Sequence, residues 1–250
     1  MLLKVMTFNI HHGKGTDGDL NLQRIADMIA DSNVDIACLN EVDRHYSPRS
    51  DYVDQIGWLA EYLQMDYAYG PAVVLKSKNR KEKREYGNAL LSRYPIADIK
   101  NHRFHFGLVE DRSLLETTVH LNDQPLKMYT THLSLDPLTH KQQTSFILDK
   151  IKHDHHPIIL SGDWNMKPGA RAWRRITRHL ADSWYTVGEG SGFTFPSFQP
   201  RMRLDYIFVT SAFHVTHAEV WNANPEASDH LPLITTLNTQ FHENGFHVCH

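Results

Sequence analysis

The sequence predicts a layered α/β fold built on mixed β-sheets. Three observations predict it. Strand-like and helix-like apolar patterns alternate over the first sixty residues, the mark of βα units. A hairpin pattern then interrupts the alternation, with apolar runs at 114–121 and 126–133 flanking the turn Asn122-Asp123-Gln124-Pro125. Short polar motifs also close the apolar runs, as expected where rigid strand ends hold polar groups at a cleft.

The elements follow in order. Residues 2–10 read as a buried first strand. Asp19 or Asn21 can cap a helix whose Leu22, Ile25, Met28 and Ile29 recur at helical spacing. Residues 35–40 read as a second strand ending at Glu41. Residues 52–63 read as a second helix with Ile56, Leu59, Ala60 and Leu63 inward. A strand at 87–92 is closed by the turn Arg93-Tyr94-Pro95. After the hairpin come a helix at 139–152 with Phe146, Ile147 and Ile151 apolar, and a strand at 157–161 leading into Gly162-Asp163. A helix at 171–180 and strands at 204–209 and 231–237 complete the pattern. No repeat, low-complexity tract or linker divides the chain, so one domain is expected over 1–240, followed by a tail at 241–250.

Composition bounds the function classes. Apolar residues make up 41% and charged residues 22%, an ordinary globular balance. The net charge of -3 provides no general pull toward nucleic acid, so anion binding must come from local cations or metal. Cys38, inside an apolar run, reads as a buried thiol; with only Cys249 besides, the chain is not a disulfide scaffold. The first strand starts at once, leaving no room for a signal peptide, and no stretch approaches the roughly 20 apolar residues of a membrane span. A cytoplasmic monomer is expected.

Six polar motifs end apolar runs: Thr7-Phe8-Asn9, Asn40-Glu41-Val42-Asp43, Thr131-His132-Leu133, Gly162-Asp163-Trp164-Asn165, Leu204-Asp205-Tyr206 and Ser228-Asp229-His230. Each supplies a carboxylate, an amide or an imidazole. With these residues the chain resembles the endonuclease/exonuclease/phosphatase superfamily, the fold of DNase I, apurinic endonucleases, inositol polyphosphate 5-phosphatases and neutral sphingomyelinases. Gly162-Asp163-Trp164-Asn165 and Ser228-Asp229-His230 are its most specific parts, and the resemblance spans roughly residues 3 to 237. The segment 86–96 further resembles small bacterial members. The resemblance implies a four-layer α/β sandwich of two packed mixed sheets.

It also implies a hydrolase acting on ester bonds. A phosphodiester is anionic, so its cleavage needs charge neutralisation, an activated water and help for the leaving oxygen. Hard oxygen ligands suit Mg²⁺ or Mn²⁺; Glu41 is the leading metal ligand, with Asn9 beside it and Asp229 as a second carboxylate. Asp163 and Asn165, two apart on an extended segment, face one side. The resemblance gives Asp163 the attacking water and Asn165 a phosphate contact. His230 is the acid–base or phosphate-contacting imidazole, oriented by Asp205, and His132 is a second imidazole near the scissile phosphate. Either Asp163 or His230 can activate the water on this reading. Arg112, Asn88 and His11 are candidate substrate contacts. Apurinic endonucleases usually carry a carboxylate where this chain has His11, which argues against DNA repair.

The expected substrate is therefore a small-molecule or lipid-headgroup phosphodiester. An endo- or exonuclease acting on DNA or RNA is the alternative, and nucleic acid is not the favoured partner. A non-enzymatic phosphate-binding module ranks last, because no expected catalytic group is missing. Three other features are read as bland: the basic run 76–85 as a solvated loop, His153-Asp154-His155-His156 as a turn rather than a zinc cluster, and His247-Val248-Cys249-His250 as tail.

Overall fold

Two six-stranded mixed sheets pack face to face with helices on both outer faces. The structure, a computed structural model, describes residues 1–77, 81–107, 109–122 and 124–239. Lys78 and Arg80 of the basic run, Asp123 of the predicted hairpin turn and the whole predicted tail lie outside the described residues.

The strands are β1 (Leu2–Asn9), β2 (Ile36–Arg44), β3 (Asp66–Leu75), β4 (Arg84–Ser92), β5 (Ile96–Phe104), β6 (Arg112–Leu121), β7 (Gln124–His132), β8 (Ile158–Asp163), β9 (Ala181–Asp182), β10 (Asp205–Val209), β11 (Phe213–Val220) and β12 (Leu233–Thr239). The helices are α1 (Leu22–Ser32), α2 (Gln55–Leu63), α3 (Pro137–Lys152), α4 (Arg171–Ile176) and α5 (Ser183–Val187). Sheet one runs β11-β12-β1-β2-β4-β3 and sheet two β5-β6-β7-β8-β10-β9. β1/β2 and β7/β8 are parallel, and the other pairs are antiparallel.

Period-two alternation divides the apolar residues among three cores. Leu3 and Val5 of β1, Ile36 and Cys38 of β2, Met128 of β7, Ile159 of β8 and Ile207 of β10 meet between the sheets. The intervening Met6, Phe8, Ala37 and Leu39 face outward under α1 and α2. Ile158, Leu160, Tyr206 and Phe208 face the other way, under α3 and α4. This makes the four layers, and Cys38 is buried as expected.

Local signals explain the helix starts. The Asn21 side chain accepts from Arg24 N–H and Asp54 from Gly57 N–H, each satisfying an orphan donor of the first turn. Asp136 does the same for Thr139, with Pro137 at the first helical position. α2 starts at Gln55 rather than residue 52, because Asp51 and Tyr52 take left-handed backbone angles. α4 ends at Ile176, four residues short of the predicted end. Of the apolar residues of α3, Ile147 and Ile151 lie on the buried face with Gln143, Thr144 and Leu148, while Phe146 lies on the exposed side against the Phe104 ring. Among the described residues no helix is long and apolar enough to cross a membrane. His153 to His156 form the turn expected there, in which the Asp154 carboxylate accepts from Tyr129 Oη and His156 N–H.

Candidate active site

The inter-sheet layer changes from apolar to polar at one end. On β1 the series Leu3, Val5 continues with Thr7 and Asn9; on β2, Ile36 and Cys38 continue with Asn40; on β8, Ile159 leads to Asp163; on β7, Met128 leads to His132. The same alternation that buries the core therefore brings these polar groups together. Antiparallel register sets Asp205 opposite Asp163, and parallel register sets His132 beside Asp163.

Glu41 is the exception to the alternation. By parity it should face α2. β2 instead carries a bulge between Leu39 and Val42, with Glu41 at φ 58°, and this extra residue turns the carboxylate toward the cleft. Gly162 has a different necessity: at φ 137° a Cβ would overlap the carbonyl oxygen of Thr131, so only glycine lets β8 lie this close to β7 before Asp163.

Hydrogen bonds fix the geometry. Asn9 Nδ2 donates to Glu41 Oε1 and to Asp163 Oδ2, both at 3.1 Å, while its Oδ1 accepts from His11 N–H. His230 Nδ1 lies 2.8 Å from Asp205 Oδ2, and its Nε2 lies 3.6 Å from Asp163 Oδ2. His132 Nε2 is 3.1 Å from Asn165 Nδ2 and 3.5 Å from Asp163 Oδ2; its Nδ1 is 3.9 Å from Glu41 Oε1. Because Asn165 Nδ2 donates, His132 Nε2 accepts and the proton of the neutral ring sits on Nδ1. Asn165 holds this position at φ 45°, its N–H bonded to Asp163 Oδ1.

The two imidazoles differ in charge. Burial pushes His132 well below the ordinary histidine range, with Arg112 and His230 adding to the effect. Burial also opposes charge on His230, but the Asp205 and Asp163 carboxylates outweigh it and raise its pKa. Asp163 is raised, chiefly by burial, with Asp205 adding and His230 opposing.

The sequence-predicted residues come together unevenly. Asn9, Glu41, His132, Asp163, Asn165, Asp205 and His230 form one connected network. Asp229 is half-buried beside them, and its charge acts on His230. Arg112 lines a narrow cavity with Glu41, Tyr86, Asn88 and His132, and pairs with the exposed Glu110. Asn88 lies at the floor, its amide engaged by Asn40 and Ser113 rather than open to the cleft. His11 sits on the turn after β1, edge-on to the His12 ring and bonded to Lys14 O.

Two residues were missed as individuals. Tyr86 opens the segment 86–96 but is given no role of its own there, and it is buried beside Glu41. Asn40 ties the sheets together: its Nδ2 donates to Asn88 Oδ1 and Thr131 O, and its Oδ1 accepts from Asp163 N–H. Asn40→Ala leaves a buried N–H and a buried carbonyl with fewer partners. It is expected to cost about 3 kcal/mol in denaturant unfolding and to reduce turnover by loosening Asp163.

A divalent cation fits these donors. Glu41 Oε1 and Asp163 Oδ2 each lie 3.1 Å from the Asn9 amide nitrogen, so carboxylate oxygens converge on that point, which suits a hard divalent cation. In this structure Asn9 turns Nδ2 toward that point, and its Oδ1 accepts from His11 N–H. Asp163, Asp205 and His230 also offer ligand atoms within 4.8 Å of one another. The 2.8 Å Nδ1–carboxylate contact inside that trio has hydrogen-bond geometry.

Fold and site together define a DNase I-like sandwich with a polar cleft at its strand ends. The sequence model of the endonuclease/exonuclease/phosphatase family matches residues 6–230, and the chain belongs to this family. It is 27% identical to the uncharacterized protein YbhP of Escherichia coli K12, over 94% of this chain and 96% of that one. The crystal structure of an endonuclease/exonuclease/phosphatase from Beutenbergia cavernae superposes with a TM-score of 0.80 at 26% identity, covering 95% of this chain and 72% of that one. A mannosyl-6-phosphatase from Bacteroides thetaiotaomicron superposes at 0.73, with 20% identity over 94% and 99% of the two chains; that likeness concerns the fold alone.

Proposed function

We propose that this protein is a Mg²⁺- or Mn²⁺-dependent phosphoesterase that hydrolyses a small-molecule or lipid-headgroup phosphodiester by in-line attack of water. The observation that carries the reading is the line Asp205–His230–Asp163 facing a neutral His132. Two carboxylates flank one imidazole, and a second imidazole of opposite charge preference stands across from it.

In this mechanism Asp163 orients the attacking water and takes its proton, since burial raises its basicity toward neutral pH. His230, held cationic by Asp205, places positive charge at the phosphate and gives its Nε2–H to the leaving oxygen as that oxygen's bond to phosphorus breaks. His132 donates from Nδ1, and Asn165 both fixes that tautomer and borders the phosphate. Arg112 neutralises charge on the Glu41 side. Glu41, with Asn9 and Asp229 near it, would hold the divalent ion, which would supply charge neutralisation and an acidified water.

Glu41→Gln is expected to raise the Mg²⁺ concentration needed for half-maximal activity about 100-fold with little loss of fold, as read by metal titration and thermal unfolding. An unchanged titration would remove Glu41 from the metal set.

The test of the function is hydrolysis of bis-p-nitrophenyl phosphate, p-nitrophenyl phosphate and plasmid DNA in parallel, with Mg²⁺ or Mn²⁺ and with chelator. Metal-dependent diester cleavage that spares plasmid is the expected result. Plasmid nicking would replace it with a nuclease. Cleavage of the monoester alone would place the chain with phosphatases, the activity in the name of the Bacteroides neighbour. Silence on all three would overturn the reading for these substrate classes.

A further inference from the structure

Arg112, His132, Asp163 and Asp205 sit at the same end of sheet two, so the loops leaving its strands there form the rim of the cleft. These loops carry apolar side chains that the protein does not bury. Leu135, three residues after His132, is 76% exposed, and Leu138, in the first turn of α3, is 74% exposed. Phe198 is 49% exposed and follows Ser197, whose N–H donates to Asp229 O. Isolated exposed leucines are common, but Leu135 and Leu138 stand together three and six residues after His132, and Phe198 follows a residue bonded to Asp229.

The charge of the same face stands apart from the rest of the chain. Residues 164–180 contain Lys167, Arg171, Arg174, Arg175 and Arg178 and no Asp or Glu, although the whole chain carries -3. A groove of about 420 Å³ runs to Asn165, lined among others by Leu135, Pro137, Lys141, Arg171 and Arg175, with no carboxylate in its wall. Leu135, the cationic wall and a passage to Asn165 are thus contiguous.

We propose that this face docks on an anionic phospholipid surface, with Leu135, Leu138 and Phe198 entering the interface and Lys141, Arg171 and Arg175 meeting lipid phosphates, so that a headgroup reaches Asn165 along the groove. Stable peripheral binding takes two signals, buried apolar surface and basic charge, and this face has both. Each basic side chain at an anionic membrane strengthens binding about fivefold. A nucleic-acid backbone would satisfy the cations but leave both leucines in water, which favours lipid. Delivery of a headgroup rests on the phosphoesterase reading; docking itself does not.

The test is co-sedimentation of the full-length chain, in chelator, with vesicles of phosphatidylcholine alone or mixed with phosphatidylglycerol. Binding is expected only to the mixed vesicles and is expected to weaken with salt. Leu135→Ser/Leu138→Ser and Arg171→Glu/Arg175→Glu should each lower it about tenfold or more, with an unchanged unfolding midpoint. Arg175 Nη1 bonds Ser145 Oγ, so if the arginine pair unfolds, Lys141→Glu takes its place. No binding to mixed vesicles, equal binding to phosphatidylcholine alone, or insensitivity to the leucine pair overturns the proposal. Duplex DNA bound as tightly as the mixed vesicles, with the leucine pair without effect, would replace it with a nucleic-acid surface. Vesicle binding without hydrolysis of any diester would leave docking and remove the phosphoesterase reading. Hydrolysis of soluble diester without vesicle binding would do the reverse.

Discussion

Asp163→Asn is expected to lower turnover by about 10²- to 10⁴-fold, the range over which a positioned general base acts, while making the metal-free protein more stable in mild alkali. Both effects have one cause. Asp163 is buried and its pKa is raised to about 7, so the folded, metal-free chain holds a proton there that an unfolded carboxyl gives up near pH 4. A raised carboxyl pKa stabilises the fold at low pH, and that contribution is lost as pH rises toward about 7. His230 works in the same direction at higher pH. Its pKa is raised to about 10, so its contribution is complete below the ordinary histidine value and is lost as pH rises through about 10. Thermal unfolding in chelator should therefore show stability falling from mildly acidic to alkaline pH. Asp163→Asn should remove the lower part of that fall, and Mg²⁺ should stabilise the wild type more than the variant. Turnover within tenfold of wild type in a folded variant would exclude Asp163 as the base. A flat stability profile would show that its carboxyl is not strained in the free protein.

His230→Ala is expected to reduce turnover by about 10³-fold and also to destabilise the fold by about 3 kcal/mol. The stability loss comes from Asp205, whose side chain is fully buried. Among the described residues its Oδ1 has no hydrogen-bond partner, and Oδ2 is held by His230 Nδ1. Removing the imidazole leaves a buried carboxylate without its partner, which costs more than the pair contributes. Adding Asp205→Asn to His230→Ala should recover much of the stability and none of the activity. The double-mutant cycle, read by denaturant unfolding and by kcat, separates the two roles. Equal stability of His230→Ala and wild type would mean that Asp205 is satisfied in some other way.

The strands that the sequence pattern misses share one property. β3 and β11 are the edges of sheet one, and β5 and the two-residue β9 are the edges of sheet two. The eight strands predicted from apolar runs are the eight interior ones. An interior strand is covered on both faces in this four-layer arrangement and must be apolar along its length. An edge strand such as Ile96–Phe104 carries Asp98, Lys100, Asn101, His102 and Arg103, and its polar side chains protect an open edge. Polarity that reads as loop in one dimension is what a sheet edge requires in three.

The site divides along a similar line. The sequence by itself determined the polar groups and the family: Asn9, Glu41, His132, Asp163, Asn165, Asp205 and His230 are all marked by motifs at the ends of apolar runs. It determined α1 to α4 through apolar spacing, with a cap at α1, because those interactions are local; the short α5 (Ser183–Val187) is not among the predicted helices. Only the tertiary structure decided which groups touch. The bulge that turns Glu41 inward, the Asn40 bridge between sheets, the tautomer of His132 and the place of Tyr86 depend on contacts between residues far apart in the chain, such as Asn9 with Asp163. Charge was decided there as well. His132 and His230 are the same residue type at similar strand-end positions, yet burial beside Arg112 keeps one neutral while Asp205 and Asp163 hold the other cationic. Local sequence carries the propensity and the chemical group; the electric environment that gives each group its role is a sum over distant neighbours, and it exists only once the two sheets have packed.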